Sequence, residues 1–196
     1  MARFRKFLLV CSLFALAISV SVPAWAFDET HLKKFKALNA CKNCDLSGAN
    51  MRYAKLSGTN LEGANLEGAN LSDAVLWGAI LWGANFNKAD LRRADLSGAN
   101  FSNADLSGAN LRGAFFWNTN LSRANLSKAN LSKADFRIWS ERPSGANLSG
   151  ANLNGADLSG VDLSTTVLWN VKLDGAILCK TKTPWGEENS GCKIKD

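Results

Sequence analysis

The chain holds one histidine, His31, and it stands ahead of the repetitive body of the sequence, so no Ser-His-Asp or Cys-His relay can be assembled within that body. Glycine patterns that cradle phosphate are missing as well: the glycines recur at fives and precede no helical pattern. No apolar run reaches the roughly 20 residues that a membrane-spanning helix needs. The segment from Phe7 to Val22 has 16. Strong acidity is also lacking, with 23 Lys and Arg against 17 Asp and Glu and a formal net charge of +6. A histidine-based hydrolase, a nucleotide-binding loop, a membrane-embedded bundle and an acidic surface are thereby all disfavoured.

The basic excess is concentrated at the front. Arg3, Arg5 and Lys6 precede the apolar run, and Pro23-Ala24-Trp25-Ala26 then supplies the small-x-small pattern cut by signal peptidases, so residues 1–26 read as a signal peptide. Cys11 lacks the preceding small residue that lipidation requires. Without that segment 20 basic side chains face 17 acidic ones, a net charge of +3. Cys41, Cys44, Cys179 and Cys192 remain, an even number in a chain addressed to the periplasm or the exterior, which favours disulfides over thiols or metal.

What the sequence does have is a period of five. Leu46, Met51, Leu56, Leu61, Leu66, Leu71 and Leu76 open a series that continues to Phe136, shifts by two, and resumes from Leu148 to Leu178, 26 centres in all. Two residues before nearly every centre stands a small residue, such as Ala49, Ala64 or Ala151, and Asn or Asp usually fills the place between. On an α-helix at about 100° per residue, leucines five apart would point about 140° away from one another. In a flat strand they would alternate faces. All of them point inward only if the chain turns a corner of about 90° every five residues, so that four pentads close a square coil and coils stack about 4.8 Å apart.

The remaining places fit that coil. The second residue after the centre is often glycine, as at Gly48, Gly78 and Gly150, where a type II turn needs a positive φ. Lys88, Arg93, Asn103, Arg123 and Lys128 stand at other corners, and a different turn type is expected there. A leucine-rich repeat would need a period of about 20 or more, and a calcium-binding nonapeptide helix a nine-residue frame.

Residues 146–160 read A-N-L-S-G-A-N-L-N-G-A-D-L-S-G, and with this signature the chain resembles the pentapeptide-repeat family along residues 44–180. The resemblance implies an all-β fold, a right-handed quadrilateral parallel β-helix. Some members of that family imitate duplex DNA and protect DNA gyrase, a role that needs an acidic surface and a cytoplasmic address; this chain offers neither. The tail from Cys179 to Cys192 and the Cys41-Lys42-Asn43-Cys44 sequence resemble those of exported members, including cyanobacterial ones, for which the thylakoid lumen is a further destination.

Both ends of a stacked coil need caps. Residues 27–43 read as an N-terminal cap in which Asp28 starts a short helix with Leu32, Phe35 and Leu38 on one face. Residues 181–196 read as a C-terminal capping tail, and residues 138–144, with Pro143, as a projecting loop that shifts the register. Six and a half coils make a rod about 30 Å long, whereas disulfide-bonded Cα atoms lie within about 7 Å. The expected pairs are therefore Cys179–Cys192 and Cys41–Cys44.

No catalytic residue, cofactor or metal site is expected. Asp90, Asp95, Asp105, Asp135, Asp157 and Asp162 fill the Asn/Asp place and read as scaffold carboxylates. Departures from the repeat are more informative. Val75, Trp77, Phe115 and Trp117 fall on one face, and Ile80 and Trp82 on the next; Val167 and Trp169 join the latter if the loop bulges without rotating the coil. These eight residues are the candidate surface for a protein partner, a second copy of the chain included. Arg52, Arg92 and Arg112, with Arg93 and Lys133 beside them, form a basic column that suits anionic lipid or nucleic acid.

Overall fold

The computed structural model describes residues 40–137 and 145–192; the expected signal peptide, the capping helix and the loop at 138–144 lie outside them. Within them the chain advances by one coil every twenty residues. Parallel bridges join Asp45 to Asn65, Asn65 to Asn85, Asn85 to Asp105 and Asp105 to Asn125, and the other sides repeat the pattern. Each side of the coil is so short that it pairs through single residues rather than long strands. Leu46, Leu61, Leu66 and the later centres through Leu163 are buried with their alanines in one continuous core. Among the centres, Phe116 and Phe136 stack one coil apart with ring centroids at 4.5 Å.

A buried or half-buried backbone must find partners for its polar groups, and one pentad shows how all five amides do so. Leu46 N donates to Asn65 O at 2.7 Å and Gly48 N to Glu67 O at 2.8 Å, both reaching the next coil. Ala49 N closes the corner on Leu46 O at 3.1 Å, and one coil later Asn65 N reaches back to Cys44 O at 2.8 Å. The fifth amide, Ser47 N, donates to the side chain of Asp45 at 3.1 Å. This last bond recurs from Ser97 to Asp95, Ser107 to Asp105 and Ser149 to Asn147. Asn and Asp alternate freely at that place because either offers the side-chain oxygen; the choice is constrained by backbone hydrogen bonding, not by optional solvation.

The corners overturn one expectation. Lys88, Arg93, Asn103, Arg123 and Lys128 have φ between 56° and 59°, the same left-handed region as Gly78 at 63°. Stacking imposes one backbone path at each level, so a side chain at a corner accepts the left-handed conformation instead of changing the turn.

The frame also runs past the leucine series at both ends. Cys41 occupies a centre and Cys44 a small-residue place, both buried, and their disulfide spans a corner with a Cα separation of 5.3 Å. At the other end Thr181 and Thr183 are buried in the corresponding places, and Lys182 bridges to Asp162. Strand β1 (Thr181–Thr183) then pairs antiparallel with β2 (Gly186–Glu188), so β2 covers the free edge of β1. Leu178 N donates to Ser190 O, and the Cys179–Cys192 disulfide locks the returning tail with Cα atoms 4.7 Å apart. Both expected disulfides are present.

Candidate functional site

Side chains immediately before and after a centre point outward, two residues apart on the same short side. In most pentads these places hold Asn or Asp and then Ser, or another polar residue. Four pentads pair an apolar residue before the centre with a tryptophan after it: Val75 with Trp77, Ile80 with Trp82, Phe115 with Trp117, and Val167 with Trp169. The exchange removes the side-chain acceptor for the fifth amide, a bond contributing about 1 kcal/mol in general. It also leaves apolar surface in water: Trp77 is 54% exposed, Trp82 47% and Trp169 75%.

The structure divides these eight residues. On the first face Lys55, Val75, Asp95, Phe115 and Asp135 form one ladder of bridges. Trp77, Ser97 and Trp117 run beside it, and a groove of about 470 Å³ is lined by Trp77, Asp95, Ser97, Phe115, Trp117 and Asp135. Ile80 and Trp82 lie just around the corner made by Gly78. On that second face the ladder runs Ile80, Asn100, Asn120, Asn147, Val167, because the coil containing the insertion takes 27 residues from Asn120 to Asn147 without rotating. Val167 and Trp169 therefore share the face of Ile80 and Trp82 but lie four coil steps away, roughly 19 Å at the usual strand spacing. The aromatic residues form one compact cluster and one outlying pair rather than a continuous strip. Trp185, in the tail, is exposed too, and its indole N–H donates to Glu188 Oε1 at 3.0 Å.

The basic column is largely spoken for by carboxylates. Arg93 Nε donates to Asp73 Oδ1 at 2.7 Å, Arg52 Nη2 reaches Asp73 Oδ2 at 3.3 Å, and Arg92 Nη2 reaches Asp90 Oδ2 at 2.6 Å. The hydrogen bond from Arg93, assisted by Arg52 and opposed by partial desolvation, holds the Asp73 carboxyl below its ordinary value. The hydrogen bond from Arg92 lowers Asp90 in the same way. Arg112 and Lys133 make no ion pair among the described residues, but Ser72 and Ser132 interleave on that face, and no contiguous cationic strip results.

Among the described residues no group of His, Cys, Asp and Glu could hold a metal ion, and no helix is long and apolar enough to cross a membrane. Sequence reasoning placed each tryptophan beside its apolar partner but missed that the exchange removes the acceptor for the fifth amide. The signal was present as the joint loss of Asn/Asp and Ser within one pentad.

Comparison with curated proteins finds no match. Among solved structures the chain is similar to HetL, a pentapeptide repeat protein involved in heterocyst differentiation regulation from the cyanobacterium Nostoc sp. strain PCC 7120. The two are 30% identical over 75% of this chain and 86% of that one, with a TM-score of 0.36. A pentapeptide repeat protein from the cyanobacterium Cyanothece is 28% identical over 76% of this chain and 97% of its own, with a TM-score of 0.32. One from the Arabidopsis thaliana thylakoid lumen is 31% identical over 63% and 68%, with a TM-score of 0.23. The model of pentapeptide repeats matches residues 41–68, 69–108, 99–137 and 144–178, in 8 copies. The five-residue coil and this match over most of the chain agree: the protein belongs to the pentapeptide-repeat family.

Proposed function

We propose that this protein is an exported, non-enzymatic scaffold, wound as a right-handed quadrilateral β-helix, that binds a protein partner through the aromatic cluster around Trp77 and Trp117. The observation that carries this reading is the paired exchange at residues 75 and 77, 80 and 82, and 115 and 117. Each exchange gives up a backbone hydrogen bond and exposes aromatic surface on a coil whose core is already complete without it. Placement in an oxidising compartment is supported by the two disulfides, the periplasm or, in a cyanobacterium, the thylakoid lumen being the natural destinations. The absence of catalysis is supported by the carboxylates themselves, which are occupied as amide acceptors along the coil.

Binding to anionic lipid or nucleic acid through the basic column is the weaker reading, because Asp73 and Asp90 hold three of its arginines. Mimicry of DNA is weaker still, given the mildly basic charge.

Proximity labelling in the native compartment tests the proposal. Serine is the ordinary occupant of the places held by the two tryptophans, so a Trp77→Ser/Trp117→Ser variant keeps the coil. The variant should lose its labelled neighbours at any salt concentration, whereas Arg92→Ser/Arg112→Ser should keep them. The opposite pattern would transfer the binding site to the basic column.

A further inference from the structure

The groove on the first face has a chemistry of its own. Val75, Asp95 and Phe115 are successive rungs of one ladder, and Trp77, Ser97 and Trp117 are the successive residues beside them. Two strand spacings separate the tryptophans, about 9.6 Å. Ser97, small and buried, makes a low floor between them, so the two indoles are the walls of a slot. Two carbon contacts of about 3.5–4.0 Å together span about 7–8 Å, so such a slot has room for one aliphatic stem between its walls.

Its charge is the second observation. Asp95 stands at the base of the slot and accepts the backbone N–H of Ser97 at 3.0 Å. Asparagine does that work equally well elsewhere, as Asn85 does for Asn87 and Asn125 for Ser127. The carboxylate thus adds a negative charge that the fold does not need. Asp73, Asp90 and Asp135 each hold an arginine, whereas Asp95 forms no ion pair among the described residues. A carboxylate without an ion pair in a groove lined by aromatic residues is complementary to a cation, which gains from ring quadrupoles as well as from the charge.

We infer that the slot receives a lysine or arginine side chain of the partner polypeptide, its stem between Trp77 and Trp117 and its cationic head on Asp95. A polypeptide is favoured over a free amine because Val75, Ile80 and Trp82 extend the apolar surface beyond the slot and around the corner, where the residues flanking the basic one would lie. This inference rests on the aromatic reading above and supplies the chemistry of the partner.

The test is a titration of the full-length, oxidised protein with blocked five-residue peptides centred on lysine, arginine or norleucine. The indole N–H resonances of Trp77 and Trp117 are followed by NMR and assigned with the single serine variants. The lysine and arginine peptides should bind at least tenfold more tightly than the norleucine peptide, and Asp95→Asn should remove that preference at an unchanged thermal midpoint. Equal binding of all three peptides, or a preference that survives Asp95→Asn, would overturn the inference. If the basic peptides fail to bind while Trp77→Ser/Trp117→Ser still abolishes labelling of the native partner, the slot chemistry is wrong and the aromatic reading stands. If the serine variant leaves labelling intact, both fall.

Discussion

Arg93 donates through Nε to Asp73 Oδ1 at 2.7 Å across one coil step, and this bond ties a corner of one coil to the corner below it. Asp73 also receives Arg52, so a single carboxylate neutralises two members of the basic column. Asp73→Asn should free both arginines while retaining a residue that tolerates the left-handed corner, at which φ is 60°. The variant should elute from a phosphate-bearing resin at higher salt, with little change in thermal midpoint. An unchanged elution profile would remove Asp73 from this role.

The same ion pairs set a pH dependence. Hydrogen bonds from Arg93, Arg92 and Arg137 lower Asp73, Asp90 and Asp135 respectively below the ordinary value of 3.8. At Asp162 burial acts in the opposite direction, but hydrogen bonds from Ser164 and the charge of Lys182 outweigh it, and its carboxyl is lowered as well. A carboxyl lowered in the folded state stabilises the fold above its unfolded pKa and ceases to do so as pH falls through the folded one. The urea midpoint should therefore stay level from neutral pH to about 5 and decline below about 4. A rise in stability on acidification would contradict these assignments.

The corners offer a test of the backbone. A Cβ added at Gly78 would meet nothing within 4 Å, so Gly78→Ala isolates the conformational cost of φ +63°, of the order of 1 kcal/mol. At Lys88 a side chain already occupies the same left-handed region, with φ 56°. Lys88→Gly should relieve the left-handed strain while giving the unfolded chain more freedom to lose, leaving stability nearly unchanged in equilibrium denaturation.

The C-terminal cap should be separable from the coil. Removing the Cys179–Cys192 bridge, with sequence separation 13, by replacing both cysteines with serine should cost about 3 kcal/mol in the chain-entropy account. Amide exchange should then accelerate first in β1 and β2, while Leu91 and Leu96 in the middle of the rod keep their protection. Uniform acceleration along the coil would show that the tail and coil open as one unit.

The leucines and alanines were legible in the sequence because burial of one aliphatic group per pentad has a single geometric solution. Cys41, Thr181 and Thr183 were not, since none is a leucine and only the stacked backbone identifies their places as centres or small-residue sites. The Asn/Asp place was legible as a pattern but not as a cause: its oxygen accepts an amide two residues on, which only hydrogen-bond accounting exposes. Asp73 stands twenty positions before Arg93, so its pairing could have been read from the period, yet the column was composed from cations alone. The face that Val167 and Trp169 occupy depended on how many residues the interrupted coil absorbs, a quantity the sequence does not carry.

The central claim is that aliphatic side chains hold this coil while the tryptophans at 77 and 117 are available for something else. Equilibrium denaturation of Trp77→Ser/Trp117→Ser beside Leu96→Ala tests it most directly. Leu96 is fully buried, and its truncation should cost about 2–5 kcal/mol. The double serine variant should lose no more than about 1 kcal/mol, part of it returned by the polar surface typical of a solvent-facing place. A loss from the serine variant as large as that from Leu96→Ala would show the tryptophans to be structural and would contradict the account.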